Sequence, residues 1–585
     1  MQNMDKRRGA TFIDLMIATG IMVMLFAGIY MVYFSLVDAV SSVDSKNAAA
    51  SALSREMEII RNLPYEKIGI SGGFPSGVIP ATQNVSVGGY DFTLKTLVRN
   101  IDDPYDGTIS SSPKDTAPAD YKLVELTIEC ATCNRFAPMS LSTISAPKNL
   151  EASGSTGSLN VNVFDASGNP LPGITVHILN SSTTPTMELV DTTGANGLLQ
   201  LVGLPTSTQS YQISVYANGY SADKTYPLGL VSNPNPLMVH ATVAEGQVTN
   251  VSFSVDKLSS AQMLFAGPYC DGVSGVNLQI SGTKLIGQGP DVLKYSTTTT
   301  SDSSGQIILP NLEWDSYNAT ATASGFTMVA SDLHRPFAVS PSTTISGKFM
   351  MLADVDSNLA VLPIDQATGD YVADAIVDIS RAAYSDSEKV GYWEVSDTNW
   401  SGSDYSAIDG IDTEGSPGEF SIAPFAGPYP TGTTFWLESK TMDFGALVEP
   451  KEINVDFVAP GSAGLNSILF QLASNNDNST WNYVGPDGTG FSYYDNNAQI
   501  SNLSSGRYLR YKVFMKTDDE DETPTLRRLG IKFKGGCVIP NTAYFPDISQ
   551  GAYDISINAP GYNQATSSFS VFSGWNKAQI LMQKI

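Results

Sequence analysis

Asp14 is the residue whose placement demands chemistry. It stands at the mouth of an apolar run from Leu15 to Val37 that only Thr19 and Ser35 break, and Lys6, Arg7, Arg8, Gly9 and Ala10 precede it. A carboxylate entering hydrocarbon costs roughly 2.5–3.5 kcal/mol and calls for a partner. Gly69-Ile70-Ser71-Gly72-Gly73 satisfies G-x-S-x-G. A hydrolase nucleophile elbow needs a strand before the serine and a helix after it. Here a helix pattern precedes and a Gly/Pro loop follows, so no catalytic role is assigned to Ser71. Cys130 and Cys133 form a lone C-x-x-C. A zinc site wants four ligands, and His177, His240 and His334 are scattered. A local disulfide is the first reading; unpaired thiols and a redox or metal role stay open. Cys270 and Cys537 are far apart in sequence, and no local pattern pairs them. Trp481, Tyr483, Tyr493 and Tyr494 could stack on a sugar or fill a core. The run from Asp518 to Glu522 could offer oxygens to calcium, and a solvated loop is the simpler reading; no metal site is assigned.

The apolar run is long enough to cross a bilayer as a helix. The cations ahead of it belong on the cytoplasmic side, and the rest of the chain outside. A secretory signal has a shorter core, roughly 7–15 residues, with a small-residue cleavage site after it. An ordinary anchor has no use for Asp14. Leu53, Met57, Ile60 and Leu63 continue the helical spacing, and Pro64 stops it. From Leu15 to Leu63 such a helix is about 70 Å long. Half of it would lie in lipid and half would carry a head.

The stretch from Lys6 to Leu15 resembles the N-terminus of type IV prepilins and pseudopilins. The resemblance implies cleavage by a prepilin peptidase after Gly9 and N-methylation of Ala10. Asp14 takes the place of the family's usual Glu, five residues into the mature chain. Its implied partner is the α-amine of a neighbouring subunit's Ala10, which would set helix register during assembly. The head, to about residue 152, resembles minor pilins in the loop from Ile101 to Gly107, the strand from Tyr121 to Glu129, and the closing stretch from Ser140 to Pro147.

The chain has 585 residues and a formal net charge of −25, with only 16% of residues charged. That composition is not a disordered acidic chain. It also argues against nucleic-acid binding, which wants a basic face. The 50 Gly and 32 Pro suit many turns between short strands. The expected fold is mainly β and multidomain: a long N-terminal transmembrane helix, a small pilin-like α+β head, then tandem β-sandwiches, the last interrupted by a jelly roll.

The expected boundaries are a leader over 1–9, a transmembrane and assembly helix over 10–64, and a head over 65–152. A short flexible linker from Glu151 to Gly157 follows. Sandwiches then cover 157–256 and 257–352. The second echoes the first: Gly275 to Ile280, then Ser301 to Leu312, then Tyr317 to Phe326. The Gly-turn, strand, Leu-Pro and Gly-Tyr arrangement resembles carboxypeptidase regulatory-like (transthyretin-like) domains, which implies a non-catalytic spacer or binding module of about seven strands. A third unit is cut in two, 353–400 carrying its opening strands and 534–585 its closing ones. Residues 401–533 lie between. There Gly485 to Thr489 and Gly506 to Phe514 resemble discoidin or galactose-binding jelly rolls, some of which bind sugars.

The resulting expectation is a non-enzymatic minor pilin or pseudopilin of a type IV pilus or type II secretion-like filament. It needs no catalytic residue and no cofactor. Expected partners are the prepilin peptidase, other pilins through the helix, and the lipid bilayer, with a surface glycan or another cell as further candidates. It would sit in the cytoplasmic membrane by a single pass before assembly, and on a surface filament afterwards. The alternatives are a surface carbohydrate-binding protein and a membrane-tethered enzyme. Against the enzyme, no histidine lies near a plausible nucleophile, and the sequence shows no paired catalytic carboxylates or phosphate loop.

Overall fold

The computed structural model describes residues 12–585 apart from 106, 109–110, 113–114, 116–117, 134–135, 148–155, 185, 335, 383 and 403, and apart from the side chains of residues 12, 14 and 18. The fold class is mainly β with one long N-terminal helix. The chain forms two compact units. One comprises residues up to Lys257 together with Leu285–Val292, and the other Leu258–Lys284 with Leu293–Ile585.

The first unit begins with helix α1 (Phe12–Arg61). Arg61 is its last residue because Pro64 follows shortly after and cannot continue the ladder. Four antiparallel strands make the head sheet in simple order: β1 (Thr82–Val87), β2 (Tyr90–Ile101), β3 (Tyr121–Glu129) and β4 (Met139–Ser145). Alternation puts Phe92, Leu94 and Val98 of β2, and Val124, Leu126 and Ile128 of β3, on one face. That face buries Ala49, Ala52, Leu53, Met57 and Ile60 of α1. Lys122 is a buried charge in this sheet. Its Nζ donates to the carbonyls of Tyr65 at 3.0 Å and Ile68 at 2.6 Å, tying the short turn after α1 to the sheet.

The first sandwich follows. One sheet holds β5 (Thr156–Phe164), β8 (Leu198–Pro205) and β12 (Val248–Ser254). The other holds β6 (Thr175–Asn180), β7 (Met187–Thr192), β9 (Ser207–Tyr216), β10 (Asp223–Lys224) and β11 (Ala241–Val243). Its core is built from Leu159, Val161, Ile178, Leu201, Tyr211, Val215 and Phe253. The opening strand β5 and the closing strand β12 pair in parallel, Ser158 opposite Val248 through Phe164 opposite Ser254. The chain therefore enters the sandwich at one end and leaves it at the other.

The same parallel closure recurs twice in the second unit. Ser259–Ala266 pairs with Thr344–Ala353 in one sandwich, and Ser357–Asp365 pairs with Gly574–Met582 in another. The latter is a split domain. Ser357–Asp365 also pairs with Ala543–Phe545, and Ile376–Arg381 pairs with Gly551–Asn558. Leu359, Val361, Val377 and Ile379 share its core with Phe545, Tyr553, Ile555 and Ala578. Each sandwich also repeats a corner: a buried tyrosine whose hydroxyl donates to a carbonyl a few residues upstream. The pairs are Tyr211 to Pro205, Tyr317 to Glu313 at 2.8 Å, and Tyr553 to Ser549 at 2.8 Å.

The inserted module is one connected network of ten strands. It starts earlier than residue 401. Trp393–Asp397 pairs with its long strand Thr525–Gly535, Trp393 opposite Phe533, so this segment belongs to the insert and not to the split sandwich. Nor does the insert hang free. Ala360 and Leu362, on the second face of Ser357–Asp365, share one core with Trp400, Phe444 and Phe533 of the insert and with Met350 and Leu352 of the neighbouring sandwich. The physical reason is the strand itself: Ser357 to Pro363 are buried without alternation, so both faces need apolar cover.

Candidate functional site

The candidate site is α1 and what it carries. From Leu15 onward the helix has an apolar window of mean hydropathy 2.3 and none of that window is buried in the protein. Leu25, Phe26, Val32 and Leu36 are exposed, with none of the described residues covering them. Further along, the helix changes role without changing geometry. Ala49, Ala52, Leu53 and Met57 are core residues of the head. One continuous helix of 50 residues, about 75 Å long, thus joins an uncovered apolar segment of membrane-spanning length to a folded head. Gly9 and Ala10 lie outside the described residues. Asp14 lies in the first turns of α1, and its side chain is outside the described set.

Ser71 sits in a loop laced by its own backbone. Ile70 N donates to Pro75 O at 2.7 Å, Ser71 N to Ile79 O at 2.8 Å, and Ile79 N to Gly69 O at 2.9 Å. A short 3-10 turn (Tyr65–Lys67) precedes it and β1 follows. That is not the strand–turn–helix setting of an elbow. Cys130 and Cys133 are joined in a disulfide just after β3, with Cα atoms 5.5 Å apart. Cys270 and Cys537, which sequence spacing could not match, are also joined.

The four aromatics of the insert part company. Tyr494 is 1% exposed and belongs to the core. Arg510 lies 4.4 Å over the ring of Trp481, and Lys512 lies 5.7 Å over Tyr483 and 3.7 Å over Trp436. Tyr493, 38% exposed, packs edge-on against Phe514. The strand Gly506–Met515 thus supplies cations and rings that occupy these faces. The sequence does not show this, because Trp481 and Tyr483 lie in a loop about thirty residues from Arg510 and Lys512.

Thr517 organises the acidic loop. Its Oγ1 donates to Glu522 O at 2.6 Å and accepts from Asp519 N at 3.2 Å. Among the described residues the one group with metal-ligand spacing lies elsewhere: Asp102, Asp115 and Asp120 bring carboxylate oxygens within 4.8 Å of one another in the head. Oxygen ligands of this kind suit a hard cation such as Ca²⁺.

No family model matches the chain, and no curated protein does. Among solved structures, the Bacillus anthracis TIE protein is 11% identical over 86% of this chain and 73% of its own, with a TM-score of 0.16. The minor pilin GBS52 of Streptococcus agalactiae is 14% identical over 34% of this chain and 96% of its own, with a TM-score of 0.17. A streptococcal ancillary pilin is 10% identical over 73% of this chain and 99% of its own, with a TM-score of 0.14. At these TM-scores the similarities carry no argument about what the chain does.

Proposed function

We propose that the chain is a membrane-anchored, non-enzymatic minor subunit of a type IV pilin-like filament, displaying β-sandwich modules outside the cell. One observation carries the reading. A single helix is bare and apolar over its first half and forms the core of a small α+β head over its second. The sequence ahead of it supports the reading: three cations, the Gly9–Ala10 junction and Asp14. In this reading a prepilin peptidase cuts after Gly9, Ala10 is methylated, and Asp14 pairs with the α-amine of an adjacent subunit. More than four hundred residues follow the head. Such a mass on every subunit would crowd a filament packed through its helices, so a minor position at a tip or base suits it. The sandwiches then serve as spacers or adhesive modules.

Intact-mass analysis of the membrane form tests this. The expected mature chain lacks Met1–Gly9 and carries one extra methyl on Ala10. A chain that keeps its leader in a host with a working prepilin peptidase would overturn the reading.

A further inference from the structure

The first unit contains a cleft of about 750 Å³ where the outer face of the head sheet meets β7 of the sandwich. Its two walls are held together by buried polar contacts. Arg99 of β2 makes two hydrogen bonds to the carboxylate of Asp191 on β7, and Asp191 is 1% exposed. Asn100 Nδ2 donates to Val202 O at 3.1 Å. A carboxylate so enclosed is stable only with its partner in place, so the cleft is preorganised rather than a casual gap.

Strand β7 ends its sheet, pairing with β6 on one side alone. The bond from Thr193 N to Ile174 O sets the phase. Residues 189, 191 and 193 turn their main-chain groups to β6, and residues 188, 190 and 192 turn theirs to the open edge. Of these, Glu188 bridges to Gly73, and Thr192 N donates to Asp191 Oδ1 at 2.7 Å. Val190 has no main-chain partner among the described residues on that edge, and the residue is 51% exposed. Both β7 and the outer face of β2 and β3 line the cleft.

The walls carry four carboxylates, Glu125, Glu129, Glu188 and Asp191, against two cations, Lys95 and Arg99. Both cations are spent on ion pairs, Lys95 on Glu129 at 2.8 Å and Arg99 on Asp191. Glu125 has no ion-pair partner among the described residues. A strand edge inside a net-acidic cleft selects its occupant: main-chain bonds supply affinity, and alternate side chains supply specificity.

We propose that this cleft is a β-addition site that takes an extended, cationic peptide segment of a partner protein. The segment's main chain pairs with Val190, the position of the β7 edge left open between the Glu188 bridge and the capped Thr192 amide. Its basic side chains lie toward Glu125 and toward Glu188, which also meets His177 Nε2 at 2.9 Å. The site does not depend on the membrane-helix reading, so its failure would leave that reading untouched.

The test uses the full-length protein in detergent micelles and a capped hexapeptide of alternating Lys and Val. Its controls are a Glu/Val analogue and an analogue with alternate amides N-methylated. Saturating Lys/Val peptide should slow hydrogen exchange at the Val190 amide by about tenfold or more, and N-methylation should weaken binding by a similar factor. V190P removes the edge donor while leaving the bonds of residues 189 and 191 to β6, so it should abolish binding with the exchange of β6 unchanged. V190T should bind as the wild type does. Absence of peptide binding, equal binding of the Glu/Val analogue, or binding that survives V190P would each overturn the proposal. So would a Val190 amide already protected in the free protein, since part of this chain would then cover the edge.

Discussion

Cys270 and Cys537 form a disulfide across 267 residues of sequence. It joins the opening of one sandwich to the point where the chain leaves the insert and resumes the split domain. Tyr269 beside it packs on Phe444 and Phe533 of the insert, with ring centroids 6.1 and 6.3 Å apart. Lys348 Nζ donates to Gly536 O at 2.7 Å, and Asn541 Nδ2 to Ser331 O at 2.8 Å. Covalent, aromatic and polar ties converge on one junction.

The first prediction follows from the length of that loop. In the chain-entropy account a cross-link over so long a loop restricts the unfolded chain by up to about 5 kcal/mol. Replacing Cys270 and Cys537 together by serine should therefore lower the melting temperature of the second unit markedly. The equivalent change at Cys130 and Cys133, only three residues apart, should have a much smaller effect. Differential scanning calorimetry compares them, and equal shifts would remove the argument.

Arg99 and Asp191 supply a second prediction. R99A leaves the Asp191 carboxylate enclosed without its guanidinium, a change that costs about 3–5 kcal/mol in comparable buried pairs. The expected result is lower resistance to denaturant and faster proteolysis at the join of head and first sandwich. The exposed pair Lys95 and Glu129 should tolerate K95A with a loss of about 1 kcal/mol or less. If R99A behaves like K95A, the enclosed pair does not hold the join.

A third concerns the insert's core. Trp400 Nε1 donates to Tyr511 Oη at 2.6 Å, and Tyr511 Oη donates to Asp397 Oδ2 at 2.7 Å. Trp400 and Tyr511 are both buried. Burial is the main cause that raises the Asp397 pKa, against the lowering effect of its bond from Tyr511. Y511F deletes both bonds at once and strands a donor and a carboxylate, at about 1–3 kcal/mol for each group left unsatisfied. Urea melts followed by tryptophan fluorescence should show the loss. A melt unchanged from wild type would mean that water replaces the hydroxyl.

The fourth is a pH dependence with a definite sign. Glu388 of the split sandwich faces Lys532 of the insert at 2.8 Å, and both side chains are largely enclosed. Burial pushes the Glu388 carboxyl up to about 7, outweighing Lys532, while Asp386 and Glu394 add to the rise. For Lys532, burial disfavours the ammonium, but the facing Glu388 and its neighbours outweigh that and raise its pKa. A carboxyl whose folded pKa exceeds its unfolded value binds more protons when folded. Its contribution to stability is therefore full below about pH 4.5 and is lost as pH rises through about 7. The slope integrates to a contribution on the order of 3 kcal/mol across that window. E388Q should flatten this part of the stability profile. A wild-type and a Gln profile that run parallel between those pH values would contradict the assignment.

What the sequence shows and hides follows from where each signal lives. The apolar run after Asp14 and the spacing of Leu53, Met57 and Ile60 are local, and α1 follows from them directly. The tyrosines Tyr211, Tyr317 and Tyr553 stand at matching places in their sandwiches, each within an alternating strand, so the repeat is also legible. The pairing of Cys270 with Cys537 is a relation between distant segments, and no local pattern encodes it. The start of the insert is hidden for a similar reason. Trp393–Asp397 reads as a strand, but nothing in it says which sheet it joins.

The last prediction concerns removal of the insert. Alternation in Val361 and Ile376 suggests a sandwich that could stand alone once its closing strands are supplied, with residues 405–533 replaced by a short Gly/Ser bridge. The structure changes the expected outcome. The second face of Ser357–Asp365 buries Ala360 and Leu362 in a core that the insert completes, together with Tyr544. Trp393 and Trp575 pack against the same core. Deleting the insert uncovers these groups and leaves Trp393–Asp397 without its partner strand. Each large apolar side chain returned to water costs about 1.5–3 kcal/mol, so the loss amounts to several kcal/mol. The split sandwich should keep its own pairing, since Leu359, Val361, Ile555 and Ala578 lie on the other face. The deleted protein is therefore expected to melt lower, bind a hydrophobic dye, and aggregate at concentrations the full chain tolerates. Replacing Leu362 and Tyr544 by Thr in that background should reduce dye binding and aggregation. A deletion variant that stays monomeric and dye-free with an unchanged melt would mean that the insert is an independent passenger.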